Sequence, residues 1–403
     1  MTETTSRRGQ PALTLAAALL VMLGPFSIDA YLPAFPAIEQ HYGVSRALLS
    51  QSLAGYLFAY AGGMLIWGPV ADHYGRKATV ITSLILFALA SLLCALAPGF
   101  TLFLTGRVLQ GLAASGSTVG SRAMIRDAHS ATGAQRAMSQ VMMVFTLAPV
   151  MAPLAGGWLV AHLGWASIFV ALVVYSLLLA AGLARWLPET LPRHARQSLA
   201  FGKVFATYRG ALMLRPFRLL LVTGTCTFAA FFLYIAGAPT VIFDILGLAE
   251  TDFLWQFGPM VSGMFLGSLV SQRVASRYGP VMAVHLALGI SAVAILFNLV
   301  QSLLWPPTLP TVIGPLVLMA FAIALLLPGI TVQLLDCLPH HRGAAAAVQG
   351  FSQMGANALS ASLLLPALGA HLTHFALAQI GLLSLALTCW VMHRKLSNSV
   401  SPA

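Results

Sequence analysis

Charge is the scarcest feature of this 403-residue chain: Asp, Glu, Lys and Arg together make up 8%, and only 10 residues are acidic. Soluble domains carry about 25% charged residues, so a surface facing water over most of its area is excluded. Cysteine is almost as rare. Cys94, Cys226, Cys337 and Cys389 are scattered through apolar runs with no CxxC spacing, which excludes a disulfide framework or zinc cluster and leaves them as small buried hydrophobes. The chain has no GxSxG, HExxH or Walker A sequence. Hydrolase, metalloprotease and self-contained ATP-driven pump chemistry therefore lack their residues. His285, His371 and His374 have no metal-like spacing with an acid, so neither a metal nor a cofactor is expected.

What is present in quantity is apolar surface. Hydrophobic residues make up 59%, and the mean hydropathy is +0.87. A bundle whose exterior faces lipid needs this excess, because its outside must be apolar as well as its core. The chain therefore reads as an all-α integral membrane protein. Twelve apolar runs, each long enough to span a bilayer, extend from Pro11–Pro36 at one end to Phe375–Met392 at the other. They divide the chain into a tail (1–10), a six-helix bundle (11–187), a connecting stretch (188–216), a second six-helix bundle (217–393) and a closing tail (394–403). Arg7 and Arg8 precede the first run, which is too long for a signal segment and lacks a clear cleavage site. It is expected to be retained as a helix.

The formal charge of +11 suggests nucleic acid only until its distribution is read. The cations fall mainly in alternate loops, whereas the opposite loops hold Arg46 beside Glu39, Asp244, Glu250 and Asp252. This is the positive-inside pattern, so no nucleic-acid partner is expected and both termini are expected in the cytoplasm. Within the connecting stretch, Leu199, Phe201, Val204, Phe205, Tyr208 and Leu212 recur at near-helical spacing behind Ser198, a candidate N-cap. That pattern fits either a basic amphipathic helix on the membrane surface or a plain linker.

The densest charge lies in Gly68–Lys77, GPVADHYGRK, between the second and third runs. Gly75 is suited to a left-handed turn, and Asp72 is expected near the positive end of the following helix. Val274–Gly279 echoes Val70–Gly75 about half a chain later, with Ser276 in place of the acid. Such an offset is expected of a transporter built from two parallel halves.

Two ionisable residues stand out within spanning runs, Asp29 in the first and Arg107 in the fourth. Charges in the membrane are functional candidates by default. Counting from the helix ends puts both roughly 10–12 Å below the outer surface, at a depth where they can pair or serve one cavity. Burial favours a neutral carboxyl and a nearby guanidinium favours a charged one, which is a means of linking a proton to a substrate. A structural ion pair locking two helices is the alternative. Pro25, Pro33 and Pro36 surround Asp29, and Gln110 and Ser117 lie near Arg107 in a Gly/Ala/Ser-rich run. The fifth run carries Pro149, Pro153, Gly156 and Gly157, with Ala148, Ala152 and Gly156 in small-xxx-small spacing.

GPVADHYGRK resembles the loop motif between the second and third helices of the major facilitator superfamily. FSIDAYLPAFP, GRVLQG, RAMIRD, YIAGAPTVIF and PHHRGAAAAVQGFSQ together resemble the Bcr/CflA branch of its drug:proton antiporters (DHA1-type). The resemblance covers almost the whole chain. It implies two pseudo-symmetric six-helix bundles in a bacterial inner membrane and proton-coupled export of small amphipathic compounds of the phenicol, bicyclomycin or multidrug kind. It implies Asp29 as the protonatable acid, with Arg107 its fourth-helix partner. Gly68, Asp72, Gly75, Arg76 and Lys77 then form a cytoplasmic gate, with Arg126 a partner for Asp72. Pro149, Pro153, Gly156 and Gly157 match the helix-five antiporter motif, although Ala148 and Ala152 stand where glycines are usual. Ala61-Gly62-Gly63-Met64 lacks the glutamine commonly found before the gate.

Tyr31, Tyr56, Tyr60, Met142, Phe145, Phe232, Tyr234 and Met354, with Gln110 as a polar contact, are candidate substrate-binding residues, since soft walls suit amphipathic ligands. The expected partners are thus a small amphipathic substrate, protons and lipid, with the chain acting as a monomer. A channel fits poorly, because it needs rings of polar groups from symmetric subunits. A proton-coupled carrier of a metabolite such as a sugar, amino-acid derivative or nucleoside is the competing function.

Overall fold

A computed structural model describes residues 4–129, 131–192, 194, 196, 199, 201–339 and 341–400. Every regular element in it is helical. The first expected run is not one helix. It divides into α1 (Thr4–Asp29), a 3-10 turn at Leu32–Ala34 and α2 (Phe35–Tyr42). Pro33 in the turn and Pro36 near the start of α2 withhold backbone N–H groups, so the chain restarts just after Asp29.

The remainder of the N-terminal unit is α3 (Arg46–Tyr74), α4 (Arg76–Leu96), α5 (Phe100–Ala128), α6 (Ala131–Leu163) and α7 (Ala166–Trp186). The C-terminal unit contains α8 (Phe201–Met213), α9 (Arg215–Ala236), α10 (Phe253–Tyr278), α11 (Pro280–Leu304) and α12 (Leu309–Asp336). It closes with α13 (Arg342–Leu359), the short α14 (Leu365–Leu368) and α15 (Leu372–Val400), while π-helical turns occupy Thr240–Ile245 and Ser360–Leu364. The division between the units falls at Phe201/Gly202, inside the stretch 188–216. α8 buries Tyr208 and Ala211 and leaves Phe205 and Leu212 exposed; Ser198, the expected N-cap, lies outside the described residues. α15 runs on past 393, where a tail was expected.

Ten helices among the described residues are long and apolar enough to cross a membrane. Of the twelve expected runs, the fourth and eleventh fall short, for different reasons. α5 is rich in Gly, Ala and Ser and buries more than one face, packing on α1, α3 and α4. Gly111 lets it approach α3 so closely that an added Cβ would overlap the Tyr56 carbonyl. The eleventh run ends α13 in a π-turn. Each unit repeats one packing scheme: α3 and α4 flank α5 as α10 and α11 flank α12, and α4 packs on α7 as α11 packs on α15.

Candidate functional site

The helix restart delivers Asp29 as the last residue of α1, 5% exposed and with no ion pair among the described residues. Small residues hold this break in place. Gly156 of α6 packs directly on the Ala30 backbone, and Ala152 and Ala148, about one and two turns earlier, are completely buried. The expected helix-five motif thus abuts the chain immediately after the acid, although Pro149 and Pro153 leave α6 a continuous helix.

Arg107 does not pair with Asp29. It is wholly buried, and its guanidinium carbon lies 4.5 Å from the Tyr31 ring centroid and 4.6 Å from that of Tyr56, with Phe169 at 5.8 Å. Cation–π attraction strengthens where water is excluded, and here it takes the place of a carboxylate partner. Nη1 donates to Gln110 Oε1, and Gln110 Nε2 donates in turn to Ser91 Oγ at 2.8 Å. Nε and Nη2 have no hydrogen-bond partner among the described residues. Tyr31 is fixed by a 2.6 Å hydrogen bond between its hydroxyl and Ser52 Oγ and by edge packing on Phe35.

Of the candidate substrate contacts, Tyr31, Tyr56 and Gln110 form the wall around Arg107. Tyr60 stacks on Tyr56 and donates to Thr118 Oγ1 at 2.8 Å. Met142 is exposed on α6, and Phe145 packs instead on the cluster of Ala17, Val21, Ala137 and Val141. Phe232 and Tyr234 belong to the other unit and are buried, while Met354 is half-buried. Tyr234 donates to Asn298 Oδ1 at 2.8 Å, Asn298 donates to Gln379 at 3.0 Å, and Gln256 donates to the Tyr234 carbonyl at 2.9 Å. This buried network has no charged member, in contrast to the cluster around Arg107.

A second charged centre occupies the turn between α3 and α4. Gly75 joins the helices at φ +107°, and a Cβ there would strike Glu189. Arg76 is 4% exposed and pairs with Asp72 at 2.5 Å and with Asp127 at 2.9 Å. The expected pairing of Asp72 with Arg126 is therefore corrected: Arg126 is 65% exposed and approaches Asp127 at 3.5 Å. The start of α4 is also served by a different acid from the one expected. Glu189 accepts from the backbone N–H of Arg76 at 2.8 Å and of Lys77 at 3.2 Å, where the helix dipole favours a carboxylate. Lys77 Nζ donates to the Ala184 carbonyl at 2.9 Å in the last turn of α7, and the two residues cap each other's helices. Gly68 sits one turn earlier with open space beside it. The echo has the same backbone, with Gly279 at φ +83° and ψ +165°, but Ser276 donates to the Arg273 carbonyl at 3.1 Å and forms no ion pair.

Sequence reasoning missed Ser52, Ser91 and Phe169 around Arg107, and Asp127 and Glu189 at the turn. Asp127 had a signal as the last residue of RAMIRD, and Glu189 as an acid directly after the sixth run. No group of three His, Cys, Asp or Glu among the described residues is placed to hold a metal.

The comparisons with known proteins agree with this architecture. The family model of the Major Facilitator Superfamily matches residues 17–361. The uncharacterized MFS-type transporter YdgK of Bacillus subtilis is 31% identical over 84% of this chain and 85% of its own. Multidrug resistance protein D of Escherichia coli is 26% identical over 94% and 95%. A D-xylose-proton symporter of known structure superposes with a TM-score of 0.74 at 16% identity, covering 94% of this chain and 96% of that one, which is a likeness of fold. The chain belongs to the Major Facilitator Superfamily: it is a multi-pass membrane protein and a secondary transporter, not an enzyme.

Proposed function

We propose that the chain exports small amphipathic compounds in exchange for protons, by alternating access, across a bacterial inner membrane. The observation that carries this reading is Asp29: a buried carboxyl at a helix break, without an ion pair among the described residues, in the same unit as a buried arginine held on aromatic faces. A ligand shifts a two-state carrier only through its different affinity for the two states. Deprotonated Asp29 favours substrate entering from the cytoplasm. Protonation from the far side displaces it, and Arg107, with two donors unassigned, is the group able to answer the change of charge. The relatives named multidrug resistance protein D and bicyclomycin resistance protein homolog support drugs of the multidrug or bicyclomycin kind as the cargo, and phenicols are candidates beside them. The cations in alternate loops support cytoplasmic termini. The transporter works as a monomer, with the proton as its coupling ion. The Arg76 centre holds the α3–α4 turn in the arrangement closed to the cytoplasm.

The test uses inside-out vesicles carrying a pH gradient and a pH-sensitive dye. Phenicol-like, cationic and zwitterionic amphipathic compounds are added one at a time. Proton release on adding one class is the expected result. Silence to every class overturns drug export in favour of carriage of a metabolite.

A further inference from the structure

The C-terminal unit has a groove that takes no part in the site above. It lies between the first half of α11 and the last turns of α15, with a volume of about 450 Å³. Leu288, Gly289 and Ala292 on one helix and Leu387 and Val391 on the other line its apolar length. Gly289 leaves open space there, since a Cβ at that position meets nothing within 4 Å.

The end nearest the C-terminus has a different chemistry. Arg394 and Lys395 line it, and neither forms an ion pair among the described residues. The unit's acids, Asp244, Glu250, Asp252 and Asp336, are on other segments, and Asp336 already pairs with Arg342. Between the cations and the apolar length stands Trp390, whose buried indole N–H has no acceptor among the described residues. His285 packs edge-on against it with ring centroids 5.3 Å apart. Tryptophan at the junction of apolar and charged groups is the side chain that settles at the headgroup level of a bilayer.

We infer that this groove binds one anionic phospholipid, its phosphate on Arg394 and Lys395 and an acyl chain laid between α11 and α15 over Gly289. Two unpaired cations at the mouth and an apolar channel behind them complement a negative headgroup joined to a hydrocarbon tail, and a zwitterionic lipid matches only the second part. Basic pockets between spanning helices recognise anionic headgroups on these terms. The lipid is a constituent of the fold's environment, so the inference does not depend on what the transporter carries.

The test is native mass spectrometry of the delipidated full-length protein in detergent, titrated with phosphatidylglycerol, phosphatidylcholine or inorganic phosphate. Wild type is expected to take up one phosphatidylglycerol in preference to phosphatidylcholine and to ignore inorganic phosphate. Removing each cation weakens the preferred site about fivefold, so Arg394→Gln/Lys395→Gln reduces it about 25-fold while leaving phosphatidylcholine unaffected. Gly289→Phe fills the channel and lowers occupancy by both lipids with the cations intact. Both substitutions fall on exposed or half-exposed positions, and if the glycine variant fails to fold, the charge variant alone decides. Equal uptake of the two lipids by wild type, or a preference that survives the charge variant, overturns the inference. Binding of inorganic phosphate alone does so as well, by removing the acyl chain from the site.

Discussion

Replacing Gly156 with alanine tests the helix break at Asp29 from the opposite side. The new Cβ falls onto the Ala30 carbonyl, 2.8 Å from both its C and its Cα. A side chain in that place would rotate away, but backbone cannot, so α6 and the end of α1 must separate. Overpacking of this kind costs about 1–3 kcal/mol. Exchanging glycine for alanine inside a helix returns up to about 1 kcal/mol, so the comparison needs a control that has only the gain. Gly62→Ala in α3 supplies it, because nothing lies within 4 Å of its added Cβ. For a unit of about 200 residues each kcal/mol moves the midpoint by about 2–4 °C. Gly156→Ala is therefore expected to melt roughly 2–12 °C below Gly62→Ala, followed by circular dichroism in detergent, and to slow transport by displacing Asp29. A midpoint equal to or above that of the control refutes the close approach.

Two further predictions concern the α3–α4 turn. Arg76→Gln leaves Asp72 and Asp127 facing each other without their shared cation, and hydrogen bonds to charged groups contribute about 1.5–3 kcal/mol each. The variant is expected to be less stable than Asp127→Asn and to show reduced turnover with substrate binding retained; lost binding with normal stability contradicts a gating role. Glu189→Ala removes the carboxylate that serves the start of α4, at a cost of about 0.5–2 kcal/mol. Amide exchange at Arg76 and Lys77 should then accelerate while α5 is unchanged, and exchange that stays at the wild-type rate rules out the cap.

Scarcity of charge made much of this legible in advance. With so few ionisable residues, Asp29, Arg107 and the Gly68–Lys77 turn stand out from an apolar background, and the resemblance then attached roles to them. What failed was azimuth and distance. Counting residues estimates depth along a helix but not which way a side chain points, so Asp29 and Arg107 shared a depth without meeting. Adjacent helical residues point about 100° apart, which is why Asp127 turns toward Arg76 while Arg126 faces outward. Glu189 stood out as an acid just past the sixth run, but its partner did not: it lies 113 residues from Arg76 in sequence, and no local pattern marks a cap supplied from so far away. Tyr31, Tyr56 and Gln110 were expected as substrate contacts by residue type. Residue type does not show that the same soft aromatic faces are engaged by an arginine.

In the proposed cycle the Asp29 carboxyl links proton movement to substrate movement. The most direct measurement compares wild type with Asp29→Asn in proteoliposomes for two activities of one substrate: exchange at equal pH, and accumulation driven by a pH gradient. Exchange needs the site and the conformational change, whereas accumulation also needs a group that releases its proton. Asp29→Asn is expected to retain exchange and to lose gradient-driven accumulation. Accumulation at the wild-type level in Asp29→Asn would contradict it.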